Sequence, residues 1–428
     1  MIKQIFKKII FTILKWEAVC VLKRFNPKII GVAGSVGKTS TKDAIYHALK
    51  DHVVIRKNQK SFNSEIGVPL TILGLETGWS SPKVWFKNIV QGVKVCFSKE
   101  YPEWLVLELG TDRPGDMKKL ISWIALDYAV FTRFPDVPVH AEYFKKASDV
   151  NDEDAQMMFG LKPEGVLVLN ADDEKVSELA LKSTFKTLWY GFTQKMSGVC
   201  VSNVEFEYNE DERVSGQNIK INFGSNSVPY LIKGAVGDQH VYPIIASCVV
   251  AKDMGVNVLD VLQSMENYKV PVGRMNILEG VDGITIIDDT YNSSPIAVTL
   301  ALKALSQIKG TTKIAVLGNM AELGKYSNAE HKKVAHLLKE YKINHLITLG
   351  DMADVIAEEA KEIGIKNIHT ALSHQDAISR VIEWNTKGAS VLIKGSQSSR
   401  MEQITFGLLG DKTQAKEVLV RQDKYWKE

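Results

Sequence analysis

A short glycine-rich turn, Gly31-Val-Ala-Gly34-Ser35-Val36-Gly37-Lys38-Thr39-Ser40-Thr41, separates the apolar run Lys28-Ile-Ile from the helical pattern Lys42-Asp-Ala-Ile-Tyr-His-Ala-Leu. A chain that passes from strand to helix through glycines aims several backbone N–H groups at one point, where the helix adds the positive end of its dipole. Such a cradle attracts an anion. Lys38 can reach terminal phosphates and Thr39 can offer a hydroxyl to Mg2+, so the turn predicts nucleoside-triphosphate binding through Gly34, Ser35, Val36, Gly37, Lys38, Thr39 and Ser40.

The pattern around the turn is α/β. From Ile29 to about Asn170, apolar runs at Ile29–Val32, Trp104–Leu109, Tyr128–Thr132 and Gly165–Asn170 alternate with helical stretches, which predicts a mostly parallel sheet with its ligands at the carboxyl ends of the strands. Alternation between Val199 and Ile232, with turns at Asn209-Glu-Asp and Gly224-Ser-Asn, predicts an antiparallel extension. A helical block follows from about His240 to Tyr268. After Val270-Pro-Val-Gly273-Arg274 a second doubly wound, Rossmann-like unit opens, with strands at Ile284–Ile287, Lys313–Leu317, His345–Leu349 and Ser390–Lys394 and helices at Pro295–Ile308 and Asn328–Tyr341. The expected organisation is an amphipathic helix over 1–27, a central P-loop ATPase domain over 28–269 and a C-terminal domain over 270–428.

With 428 residues, 45% hydrophobic, 24% charged and a formal charge of +3, the chain is an ordinary globular protein of two or three domains. Charge this near balance argues against a nucleic-acid footprint. The four cysteines, Cys20, Cys96, Cys200 and Cys248, lie far apart and are expected to be reduced core thiols in a cytoplasmic protein. In the first 27 residues Ile2, Ile5, Phe6, Ile9, Ile13, Trp16 and Cys20 recur at helical spacing, with Lys3, Lys7, Lys8 and Lys15 largely opposite. The apolar runs are too short to span a bilayer, and no small-residue cleavage site follows. Two readings stay open: a helix packed on the catalytic body, or one lying on the anionic inner face of a membrane.

Three further strand ends carry chemistry. Glu108, in Val106-Leu-Glu-Leu-Gly110, can hold a divalent cation beside the phosphates or be merely solvated. His140 and Glu142 follow another strand, where an imidazole and a carboxylate can bind a second cation, although a lone histidine is more often structural. Asp288-Asp-Thr-Tyr-Asn292-Ser-Ser-Pro295 places carboxylates and an amide in the second unit, equally compatible with an N-cap cluster.

In order along the chain, the phosphate loop, Asn63-Ser-Glu-Ile-Gly67-Val-Pro69, Glu108-Leu-Gly, Leu169-Asn-Ala-Asp-Asp173, Gly273-Arg274, Asp288-Asp-Thr-Tyr-Asn292-Ser-Ser-Pro, Val316-Leu-Gly-Asn-Met-Ala-Glu322-Leu-Gly and Lys394-Gly395-Ser396 resemble the Mur ligase family. The closest branch joins D-alanyl-D-alanine to a UDP-muramoyl tripeptide. The resemblance implies an ATP- and Mg2+-dependent amide ligase of peptidoglycan synthesis, expected to be a cytoplasmic monomer. In such an enzyme a peptide carboxylate attacks the γ-phosphate and an amine then displaces phosphate from the acyl phosphate. It also implies that Thr39, Glu108 and His140 ligate Mg2+, that Lys38 acts on the transferring group, and that His240, Arg274, Asp288 and Asn292 reach the nucleotide.

The chain departs from the family pattern at three places. Only about 27 residues precede the first strand, where the family has a domain that grips UDP. A lipid-linked or otherwise different acceptor is therefore an alternative, as is a nucleotide-binding protein without turnover. Where the family has a carbamylated lysine, Ser148–Phe159 holds Asp152, Glu153 and Asp154 and no lysine, and Asp154 falls nearest the family position. Either it ligates Mg2+ directly or the second metal site is lost. Finally, the family's His-Asn pair is His240-Val241, and its basic residue after Lys-Gly-Ser is Gln397, with Arg400 nearby.

Overall fold

The computed structural model describes residues 2–58, 63, 65–78, 81–192, 198–310, 312–385, 388–422 and 426, and of residues 2–8 the backbone alone. Ser64 of the Asn63 motif and the side chains of Ile2, Lys3, Ile5, Phe6, Lys7 and Lys8 lie outside the described residues.

The strand before the phosphate loop, β1 (Lys28–Ala33), sits inside a nine-stranded sheet. The sheet runs β2 (Ile55–Lys57), β3 (Trp104–Glu108), β1, β4 (Leu126–Phe131), β5 (Leu161–Asn170), β6 (Lys186–Gly191), β7 (Val199–Tyr208), β8 (Val214–Phe223), β9 (Asn226–Lys233). Strands β2 to β7 pair in parallel with β1 among them, and β7, β8 and β9 pair antiparallel, as the change from solid apolar runs to alternation predicts. A second sheet of six strands runs β10 (Asn276–Glu279), β11 (Thr285–Asp289), β15 (Ser390–Lys394), β12 (Lys313–Gly318), β13 (His345–Leu349), β14 (Asn367–Thr370), all parallel except edge strand β10. The expected α/β class holds for both sheets.

Helices cover both faces of the first sheet, which is why its central strands are apolar on both sides. On one face α2 (Lys38–Leu49) buries Ala44, Ile45, Ala48 and Leu49 against α8 (Asp238–Asp253). The other face carries α1 (Ile2–Phe25), α3 (Gly67–Leu73), α4 (Pro82–Cys96) and α5 (Asp116–Ile121). Behind them in the chain come α6 (Ser148–Ala155) and α7 (Glu174–Ser177), and the helical block expected from His240 to Tyr268 is two helices, α8 and α9 (Val258–Ser264). The break has a local cause: Gly255 takes φ +85, and Asn257 caps α9 by accepting from the Leu259 N–H.

The N-terminal helix packs on the body, through a stripe other than the one its sequence advertises. Ile10, Leu14, Ala18 and Val21 are buried against α3 and α4, whereas Ile9 and Trp16 are 53% and 64% exposed. Among the described residues no helix is long and apolar enough to cross a membrane. The buried stripe includes a carboxylate: Glu17 is fully buried, neither of its oxygens has a hydrogen-bond partner, and Gly92 of α4 leaves room where a Cβ would come within 1.9 Å of Glu17 Oε2.

Burial without a partner raises the Glu17 pKa from 4.5 to about 7. The folded chain therefore holds this proton more tightly than the unfolded chain, and stability falls as pH climbs from 4.5 through about 7. Glu17→Gln is expected to raise the thermal midpoint by a few degrees at about pH 8 and to leave it nearly unchanged near pH 5, measured by calorimetry. An equal effect at both pH values would contradict the ionised-carboxylate account.

Candidate active site between the two sheets

The cradle forms where β1 ends. Gly34 takes φ +122, and a Cβ there would lie 2.2 Å from Thr132 Oγ1, so only glycine lets the loop pass β4. Gly37, at φ +89, closes the turn ahead of α2 and has open space on its Cβ side. Lys38 Nζ folds back onto the Gly34 carbonyl across the loop. Ser35, Val36, Gly37, Lys38, Thr39 and Ser40 all line one cavity of about 290 Å³, while Gly34 supports the loop from below.

Glu108 reaches this cavity from the end of β3, one strand away. Its carboxylate is 2% exposed, accepts from Thr39 Oγ1 at 2.9 Å and from Asn63 Nδ2 at 3.2 Å, and lies 3.9 Å from Lys42 Nζ. Asn58 fixes its backbone by accepting the Glu108 N–H at 2.7 Å, while the Asn58 carbonyl takes a hydrogen bond from Lys42 Nζ. Asn58 and Lys42 carry no motif signal and are not apparent from the sequence, yet both sit wholly buried behind the hydroxyl–carboxylate pair. Desolvation lowers the Lys42 pKa, opposed by the charges of Asp43 and Glu108.

The three acidic candidates of α6 separate cleanly. Asp152 is exposed, and Glu153 caps α5, accepting from the Gly115 and Met117 N–H groups at 3.0 and 2.9 Å. Asp154 is buried, lines the cavity and accepts from Thr111 Oγ1 at 2.7 Å. Burial raises its pKa, while the Lys38 charge pulls it down. His140 lines the same wall in a left-handed conformation, φ +71, and its Nδ1 lies 2.7 Å from Oε2 of Glu322, itself at φ +63. The two atoms are close without hydrogen-bond alignment, since Nδ1 has no aligned partner. Two residues in this costly conformation, each worth about 1 kcal/mol or more of strain, thus meet across the two sheets.

The second unit supplies the opposite wall. Arg274 lies with its guanidinium 4.1 Å from the centre of the Tyr291 ring, and both line the cavity with Asn292, Ser293 and Ser294. At the end of β11 the expected residue, Asp288, is not the one that faces the cavity. Its side chain turns inward to accept from Thr290 Oγ1 at 2.9 Å and Thr405 Oγ1 at 2.8 Å, and burial raises its pKa to about 7. Asp289 faces the cavity instead, paired with buried Lys394 at 2.6 Å, because adjacent strand residues point to opposite faces. Gln397 also lines the cavity; Arg400 does not, its guanidinium being engaged by Glu402 at 2.6 Å.

His240 opens α8 beside Gln239. Burial drops its pKa to about 4, so the ring is neutral at pH 7, and its Nε2 has no partner; nor does Gln239 Oε1. Unsatisfied buried atoms of this kind, lining a cavity beside an anion cradle, fit a polar ligand that completes them. Among the described residues no three His, Cys, Asp or Glu side chains cluster closely enough to hold a metal ion by themselves. The Thr39 hydroxyl and the Glu108 carboxylate beside the phosphate cradle fit Mg2+, which takes few oxygen ligands from protein and completes its shell with phosphate and water.

A P-loop unit closing against a doubly wound unit over one cavity defines a nucleotide-dependent enzyme built from two lobes. The family model of the Mur ligase middle domain matches residues 32–251, and that of the Mur ligase glutamate ligase domain matches residues 273–397. The chain belongs to the Mur ligase family, whose members are ATP-dependent amide ligases. It is similar to the UDP-N-acetylmuramoyl-tripeptide–D-alanyl-D-alanine ligase of Bacillus subtilis, 27% identical over 400 residues that span 93% of this chain and 79% of that protein. Its fold is similar to that of MurF from Acinetobacter baumannii, with TM-score 0.75 at 20% identity over 92% of this chain and 79% of the other. MurF ligase from Thermotoga maritima, solved with ADP, aligns with TM-score 0.73 at 23% identity over 92% and 82% of the two chains.

Asn58→Ala frees the Glu108 backbone without touching the cavity. The Mg2+-dependent part of nucleotide affinity, measured by calorimetric titration with and without the ion, is expected to fall about tenfold, with the Mg2+-free affinity unchanged. Equal losses in both titrations would contradict the role given to Glu108.

Proposed function

We propose that the chain uses ATP to activate the terminal carboxylate of a UDP-muramoyl-peptide-like acceptor and joins it to D-alanyl-D-alanine or a similar dipeptide. The supporting observation is that the phosphate cradle of the 28–269 lobe and the Arg274, Asp289, Asn292 and Lys394 groups of the 270–428 lobe line one cavity. Similarity over most of the chain to a ligase named for those two substrates supports the choice of acceptor and amine.

In this reading the chain's own groups manage charge. An anionic carboxylate has to approach an anionic phosphate, and Lys38 from the cradle meets the transferring group while the loop N–H groups hold the rest of the triphosphate. One Mg2+ would be held by Thr39 and Glu108 and would supply positive charge that offsets the repulsion, and a second, on His140, would draw in the carboxylate. Asp154 stands where the family pattern has a carbamylated lysine, and a carboxylate on a short arm, already buried and oriented by Thr111, does the work of one on a long arm. Arg274 stacked on Tyr291, with Asn292 beside it, closes over the nucleotide, and neutral His240 offers its free Nε2. Closure of the lobes excludes water from the acyl phosphate. The enzyme acts as a cytoplasmic monomer, with residues 1–27 its point of contact with the inner face of the membrane.

Full-length protein given ATP, muramoyl tripeptide and D-alanyl-D-alanine is expected to yield ADP, phosphate and the pentapeptide, read by mass spectrometry. Phosphate release that ignores both substrates would contradict the reading. Asp154→Asn is expected to lower kcat about a hundredfold while nucleotide binding persists, and wild-type rates are expected to ignore added bicarbonate. Stimulation by bicarbonate would show that a carbamate still operates and that Asp154 does not replace it.

A further inference from the structure

Of the apolar stripe legible in α1, Ile9 and Trp16 are left outside, while Ile13 and Cys20 are half-buried. Ile9 and Trp16 sit on the flank opposite Leu14 and Val21, and beside α1 runs α4, which packs through Trp85, Asn88, Ile89 and Gly92. Arg24 ties the two helices together at their carboxyl ends, donating to the Cys96 and Ser98 carbonyls at 2.7 and 3.0 Å.

Helix α4 carries a second apolar stripe on its outer side. Phe86 is 70% exposed, Val90 41%, Val93 42% and Phe97 75%. At about 100° per residue these four fall within roughly 60° of one another, and Lys83, Lys87 and Lys94 line one border of the stripe. Exposed aromatic and aliphatic side chains in a continuous helical row, bordered by ammonium groups, are the arrangement of a helix lying in a membrane interface, rings in the acyl boundary and lysines at the headgroups.

Charge selects the occupant. Helix α1 contains six Lys or Arg and α4 three, against a single carboxylate, Glu17, which is buried away from the surface. The nearest acidic residues along the chain are exposed Glu76, six residues before α4, and Glu100 and Glu103 beyond its end. The chain as a whole is near balance at +3, so this excess is local to one helical layer. A second copy seated on the same face would bring lysines against lysines, which an isologous contact cannot relieve. A sheet of anionic headgroups matches both the ammonium border and the apolar row.

We propose that the outer face of α1 and α4 is a docking surface for an anionic lipid bilayer, with α4 as its principal element and Phe86 and Phe97 as its inserted anchors. This extends the membrane contact assigned above to residues 1–27 and leaves the ligase reaction untouched, since the face contributes nothing to the cavity. It holds the two-lobed enzyme against the leaflet by a lateral face rather than by a spanning segment.

The test uses full-length protein without substrates, sedimented with vesicles of phosphatidylcholine alone or mixed with phosphatidylglycerol. Pelleting is expected with the anionic vesicles only and is expected to be lost in about 0.5 M salt. Phe86→Glu/Phe97→Glu and, separately, Lys83→Glu/Lys87→Glu/Lys94→Glu are each expected to weaken it about tenfold or more. All five positions are exposed, so circular dichroism and ligation of soluble substrates should match wild type. Equal binding to neutral and anionic vesicles, variants that bind like wild type, or a concentration-dependent dimer dispersed by the phenylalanine variants in place of vesicle binding would overturn the proposal. Because binding is read without turnover, a failure of the ligase assignment leaves this outcome separately legible.

Discussion

Glu108 is the group around which the first lobe is arranged. A carboxylate 2% exposed at the end of a buried parallel strand is costly unless every lone pair has a donor, and here Thr39, Asn63 and Lys42 surround it while Asn58 holds its backbone. Those donors come from two separate stretches of the chain, α2 and the loop that carries Asn63. The pairing of β1 with β3 sets Val32 opposite Glu108, and that register brings the phosphate loop and the carboxylate to one sheet edge. That register gives the Thr39 hydroxyl its carboxylate partner at the cradle.

The second lobe solves the matching problem with a buried ion pair. Lys394 is desolvated, which lowers its pKa, and its pairing with Asp289 opposes that shift; its second hydrogen bond goes to the Asn292 carbonyl at 2.9 Å. Arg421 then clamps the same corner from behind, donating to the Thr290 and Tyr291 carbonyls and to Glu402. The Tyr291–Asn292 turn is thereby held from both sides and presented, with Arg274, toward the phosphate loop. Contact between the lobes is closed on one flank by His140 against Glu322 and on another by Lys303 against Asp238 at 2.7 Å.

Short-range chemistry was the legible part. The phosphate loop could be placed because strand, glycines, lysine and helix fall within a dozen residues, and the central strands because burial on both faces leaves solid apolar runs. Edge strands β2, β10 and β14, three to four residues long, leave too few positions for any periodicity to stand out. Between Asp288 and Asp289 a motif cannot choose, since two adjacent carboxylates differ only in which face of β11 they take, and packing against Thr290 and Thr405 decides it. Asn58 and Lys42 act through the carboxylate they hold rather than through a pattern of their own. In α1 helical spacing correctly marked an apolar stripe; which of two stripes would be buried depended on α3 and α4, distant in the chain.

The account centres on a carboxylate oxygen that passes to phosphate while the lobes exclude water. Acceptor peptide labelled with oxygen-18 in its terminal carboxylate, turned over with ATP and dipeptide in ordinary water, reports on that step directly through the mass of the released phosphate. One labelled oxygen in each phosphate is the predicted result. Ligated product formed with unlabelled phosphate, the displaced oxygen appearing in AMP or in water instead, would contradict activation through an acyl phosphate in this cavity.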